Sequence, residues 1–103
     1  MNSSEITAAK RELISAMDYM AYREIGTSLY ASDKNALLGF EGYEARPVYS
    51  PSPWTGADRD QKLGELLGWA VRTEPQRYGR AIDLLRDDPQ FRPIIGAAGL
   101  AEC

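Results

Sequence analysis

The tightest constraint on this chain is the tetrad Arg72-Thr73-Glu74-Pro75, because it stands between two stretches of helical periodicity and lets neither run through it. Before it, Leu63, Leu66, Leu67, Ala70 and Val71 recur at spacings of three, one, three and one. At about 100° per residue that holds them within one stripe of roughly 80°, the signature of a core-facing helix. Thr55 with Asp58 three residues on has the polar N-cap and acidic third position of a capping box, so this helix is expected to start near Gly56. It should stop by Thr73, since Pro75 lacks a backbone donor and pushes Glu74 out of the helical region. The same proline suits the first turn of a new helix, along which Tyr78, Ala81, Ile82 and Leu85 trace a second stripe. The connection between them is only a few residues, so an antiparallel or steeply crossed pair is expected.

Around that pair the rest of the chain is arranged. Asn2 and Glu5 form another cap pair, and the run from Ser4 carries Ile6, Ala9, Leu13, Ala16, Met17 and Met20 on one helical face. Ile14, Ala21 and Ile25 fall on a different face, roughly 110 to 130° round. A helix with two apolar faces is either central in its domain, the preferred reading, or a self-association surface, so a homodimer through this first helix is an open expectation. Gly26 should end or kink it. From Thr27 to Ala57 two readings compete. Ser32 caps a short helix with Ala36, Leu37 and Phe40, stopped at Gly39 or Gly42; alternatively Leu29–Ser32 and Ala36–Phe40 flank a hairpin turn. Pro47, Pro51 and Pro53 make residues 46–53 an extended, polyproline-like strap whose neighbours Tyr43, Val48, Tyr49 and Trp54 need apolar cover. Arg86-Asp87-Asp88-Pro89 echoes Arg72-Thr73-Glu74-Pro75 fourteen residues on; with Pro93 following, it predicts a tight turn and then a short helix from Pro93 to about Ala98. The expected fold is mainly α: a small compact helical domain of four to five helices with a proline-rich extended strap, residues 1–103 forming a single domain. The alternative is α+β, with a small hairpin around residues 28–49.

Chain length permits a core without staples, since about 100 residues bury roughly 60 to 65% of their unfolded surface. The one cysteine, Cys103, rules out an internal disulfide and fits a cytoplasmic setting. No apolar run approaches the length of about 18 residues that a membrane span needs, and no signal peptide is expected. With 12 Lys and Arg against 15 Asp and Glu, interspersed along the chain, net charge is −3. That is an acidic, solvated surface with no electrostatic footprint for nucleic acid. The sequence contains no histidine, which removes the commonest general base and the commonest metal ligand together. No phosphate-loop, dinucleotide or calcium-loop spacing is present, and a single thiol builds no zinc site. Carboxylate pairs such as Asp87 with Asp88, or Asp58 with Asp60, are more simply helix-start chemistry than acid–base catalysts. The expectation is therefore a protein that is not an enzyme, with no cofactor and no metal.

Binding features remain. Trp69 projects roughly 130° from the leucine stripe of its helix, and Tyr19 and Tyr22 lie roughly 110° and 170° from the main stripe of the first. Large aromatics on helix surfaces are what interface hot spots use. With Trp54 at the start of the Trp69 helix, these four rings form the candidate partner-binding set, unless the strap covers them. Gly64 and Gly68 make a smooth flank suited to a neighbouring helix of the same domain. Leu63, Gly64, Leu67 and Gly68 resemble the first helix and turn glycine of a helix-turn-helix, but Glu74 and Arg77 then occupy positions that should be apolar, and Pro75 interrupts. A DNA-binding regulator with a degenerate helix-turn-helix is thus the second functional reading. In size and charge the chain resembles small inhibitors such as the phage anti-CRISPR proteins, a resemblance that implies action by occupying a site on a larger assembly. The first reading is accordingly a non-enzymatic protein-binding module, an inhibitor or adaptor, whose partner is another protein or protein complex.

Overall fold

Glu74 is where two helices share one residue. Its φ of −140° takes the chain out of helical geometry, its N–H closes the upstream helix on Ala70 O at 3.2 Å, and its carbonyl accepts from Arg77 N at 3.1 Å and Tyr78 N at 3.3 Å to open the next. The computed structural model describes residues 3–42 and 52–101. They form α1 (Ser3–Ile25), α2 (Ala31–Gly42), α3 (Gly56–Thr73), α4 (Pro75–Leu85) and α5 (Arg92–Ala97), with no strand among the described residues. The mainly α reading is correct, and residues 31–42 decide against the hairpin. The strap and the Asn2 cap fall chiefly on residues outside those described.

α1 is the centre of the arrangement. It packs against α2, α3 and α4, while α5 lies on α3. Both of its apolar faces are consumed in that role: Leu13, Met17 and Ala21 have no exposed surface, and Ile14 and Met20 are buried beside them. The second face is therefore core, and only Ile25, at its end, stays exposed. Opposite it, Leu63, Leu67, Leu85, Phe91 and Ile94 complete one continuous apolar cluster. The leucine stripe of α3 and the Tyr78, Ala81, Ile82, Leu85 stripe of α4 are buried as their periodicity requires.

Helix ends are set less regularly. Thr55 is the N-cap of α3, as its position predicts, yet its side chain makes no capping bond, and the backbone Arg59 N to Thr55 O contact at 3.2 Å closes the first turn instead. Ser32, expected as the cap of α2, lies inside its first turn instead, and its Oγ accepts from Ser52 N at 2.8 Å. In α2 the helical path breaks at Gly39, whose φ of 61° and ψ of −156° belong to a region open almost only to glycine. The carbonyl of Leu38, just before the break, accepts from Lys10 Nζ at 3.1 Å.

Two ion pairs hold the helices from inside. Lys10, 1% exposed, meets Asp88 Oδ1 at 3.3 Å, so one ammonium joins α1, the end of α2 and the α4–α5 connection. Asp33, 2% exposed, accepts from Arg59 Nε at 2.8 Å and locks α2 to α3. Neither pair is visible as periodicity, because Asp33 and Arg59 are 26 residues apart in sequence.

Candidate functional site

α1 and the α3–α4 corner diverge over a floor of small and buried side chains, and the space left between them is a groove of about 570 Å³. Ala16 and Ala70 keep the floor low where the helices meet, with Met20 and Tyr78 buried on either side. From α1, Glu12, Ser15, Tyr19 and Arg23 form one wall, since residues three and four apart share a helix face. Thr73, Glu74 and Arg77 form the other. Past Arg23 the surface continues into a hollow of about 320 Å³ bounded by Trp69, Arg72 and Glu24. Met20, Arg23 and Thr73 line both, so Arg23 is the divider within one surface.

Its charges are of two kinds. Arg77 is engaged: Nη1 pairs with Glu74 Oε2 at 3.2 Å, and its guanidinium carbon lies 5.2 Å from the centroid of the Tyr78 ring. Arg23 has the Tyr19 ring 6.0 Å away, a cation–π contact. Arg23, Arg72, Glu12 and Glu24, by contrast, have no ion-pair partner among the described residues. Thr73 Oγ1 is committed to Trp69 O at 2.8 Å. Among the described residues no group of three or more acidic, His or Cys side chains is placed to hold a metal ion, and no helix is long and apolar enough to cross a membrane. The arrangement offers aromatic edges and unpaired charge around a small-residue floor.

Of the four rings singled out by sequence, the structure sets Tyr19 and Trp69 in two adjoining hollows, and Tyr22 lines neither. Tyr19 stands at the groove wall and is 63% exposed; Tyr22, one turn on, is 67% exposed. Trp69 is half-buried, packed against the core on one side and open to the adjoining hollow on the other. Trp54 does not join them. Its ring meets Tyr30 edge-on, with centroids 5.2 Å apart at 87°, and roughly 20 Å of helix separates Gly56 from Trp69 at about 1.5 Å per residue. The expected neighbourhood of the two tryptophans is thus corrected by the straightness of α3. Sequence reasoning also missed Glu12, Arg23 and the Thr73–Arg77 wall. The signal for the first two is present: Glu12, Ser15, Tyr19 and Arg23 recur at helical spacing on the polar side of α1. What the spacing does not show is that the α3–α4 corner faces them.

Comparison of the chain with protein-family models, with curated proteins and with solved structures returns no match.

Proposed function

We propose that this protein is a non-enzymatic, cytoplasmic protein-binding module, an inhibitor or adaptor that works by covering a site on a larger protein assembly. The observation that carries the reading is where the apolar exposure lies. Among the described residues the exposed large hydrophobics are Tyr19, Tyr22 and Ile25, all in the last two turns of α1, and Tyr19 lines the groove that adjoins the Trp69 hollow. Scattered exposed apolar residues need no explanation, but large side chains gathered at one end of one helix mark a contact surface. Tyrosine and tryptophan suit it, since each covers a large area while ordering few rotatable bonds. The resemblance in size and charge to phage and mobile-element inhibitors of anti-CRISPR type supports the same mode of action.

The test is the double variant Tyr19→Ala/Tyr22→Ala. Both rings are mostly in solvent, so the variant should melt within a few degrees of wild type. Its capture of whatever protein the wild type retrieves from native extract should fall by about thirtyfold or more, the loss of some 2 kcal/mol typical of hot-spot residues. A variant that captures the same protein undiminished would remove this face from function. One that melts far below wild type would assign the rings to stability instead.

A further inference from the structure

The outer face of α1 is self-complementary, and the geometry points to a second copy of this chain as an occupant of the groove, paired antiparallel through α1. The inference rests on the reading of this face as a docking surface and names what fills it while no other partner is bound.

Glu12 and Arg23 are exposed, lack ion-pair partners among the described residues, and line the same groove from the same helix. Eleven residues, or about 16 Å of helix, separate them, and at about 100° per residue they lie within roughly 20° of each other around the axis. A two-fold axis perpendicular to α1, passing beside it level with the midpoint between them, reverses the helix direction and returns each flank to the same side. Glu12 then faces Arg23 of the second copy, and Arg23 faces its Glu12, so one symmetry operation satisfies both unpaired charges of both chains. Isologous contacts of this kind are the commonest form of soluble assembly.

The side chains between them fit the same register. Tyr19 lies within a few ångströms of the axis, so the two Tyr19 rings meet across it, each beside the small Ser15 of the facing helix. Tyr22 falls against the same Ser15 from the far side. Ala8 and Ser15 share the stripe with these rings and are exposed, so the facing helix meets small residues where the aromatics need room. Arg77 stands across the groove from Glu12, but its guanidinium is held by Glu74 and rests beside the Tyr78 ring. Arg80 lines an adjoining hollow with Glu12 but makes no ion pair with it, so Glu12 is left to a cation from outside. A parallel pairing would bring Glu12 against Glu12 and Arg23 against Arg23, and like charges so placed repel.

Sedimentation equilibrium over a concentration series, with Glu12→Arg, Arg23→Glu and the double reversal, tests this. Wild type should dimerise in a concentration-dependent manner. Each single reversal strikes both symmetric pairs and should weaken the dimer by about tenfold or more. The double reversal, which restores opposite charges in the antiparallel register, should recover most of the affinity. Both positions are exposed, and a thermal melt of each variant confirms folding. A wild type that stays monomeric to millimolar concentration overturns the proposal; so does a dimer indifferent to the single reversals, or one the double reversal does not rescue. The docking reading fails separately. If wild type is monomeric and Tyr19→Ala/Tyr22→Ala still loses capture, self-pairing falls and the docking surface stands. If the dimer behaves as described but capture is unchanged, the surface serves self-association alone.

Discussion

The corners at Glu74-Pro75 and Asp88-Pro89 carry the same sequence signature, an acidic residue before proline after a helical stripe, and they do opposite things. At the first, proline takes the opening turn of α4 and the helix restarts at once. At the second, residues 86–91 form turns and α5 starts only at Arg92. The difference lies in the acid. Asp88 is short enough to fold back, and its Oδ2 accepts from Gln90 N at 2.9 Å and Phe91 N at 3.1 Å, which fixes a turn in place of a helix start. Its other oxygen meets Lys10, so the Asp88 side chain is largely covered and this corner is tied to α1. Glu74, half exposed, reaches Arg77 along the surface and lines the groove. One corner is anchored and the other is open, and the groove belongs to the open one.

Removing the anchor should have the largest effect. Asp88→Ala deletes the carboxylate facing Lys10 and two turn bonds together, so a loss of about 3 kcal/mol or more in urea denaturation is expected, in line with broken buried pairs and lost caps. Lys10→Met added to it should recover part of that loss, because an apolar side chain of similar length has no charge to leave buried. A loss under about 1 kcal/mol for Asp88→Ala would mean that the two corners differ in shape only.

The next effect tests what the anchored corner delivers. It sets α5 down on α3, where a Cβ at Gly64 would lie 2.8 Å from Ala97 Cβ and 3.1 Å from two backbone atoms at the end of the same helix. Gly64→Ala should therefore cost about 1 to 2 kcal/mol, overpacking outweighing the helical gain of alanine. Gly79 lies in α4, between the corners, with nothing within 4 Å of its Cβ position. There the same substitution should raise stability by about 0.5 to 1 kcal/mol. If both variants shifted the melting transition in the same direction, α5 would not be seated as tightly as this comparison requires.

These cases also separate what local pattern encodes from what it does not. The stripes of α3 and α4 follow from residues three and four apart, so Leu63 to Val71 and Tyr78 to Leu85 are placed by the sequence alone. So are the restart at Pro75, the turn and short helix after Pro89, and the approach of a neighbouring helix at Gly64. Gly68 is equivalent to Gly64 in sequence, yet it is covered by the guanidinium of its own Arg72, 3.2 Å from the Cβ position. Lys10 has the sequence context of one more surface cation, because its partners at positions 38 and 88 meet it only once α1 sits at the centre. The candidate site divides along the same line. Exposure of Tyr19 and Tyr22 is a property of one helix and is readable from its wheel, whereas the groove needs two elements whose juxtaposition no local pattern encodes. Trp54 is close in sequence to the helix that carries Trp69, and the length of that helix keeps the two rings apart.

The smallest effect is expected at the open corner, and it is the one that isolates the groove. Glu74→Ala removes a carboxylate that is 49% exposed and an i,i+3 pair with Arg77 that is 61% exposed. Exposed pairs of this type contribute only about 0.2 to 1 kcal/mol, and the backbone bonds that make Glu74 both the end of α3 and the start of α4 do not involve its side chain. The melting midpoint should therefore hardly move, in contrast to Asp88→Ala. What should change is the groove wall, since Arg77 loses the partner that occupies it and stands free opposite Glu12. In the antiparallel dimer, Arg77 then competes with the incoming Arg23 for Glu12 and dimerisation weakens modestly, while the monomer remains as stable as before. A Glu74→Ala variant that destabilised the fold as much as Asp88→Ala would erase the distinction between the two corners. One that left both stability and self-association untouched would keep the corner open and take Arg77 out of the groove's electrostatics.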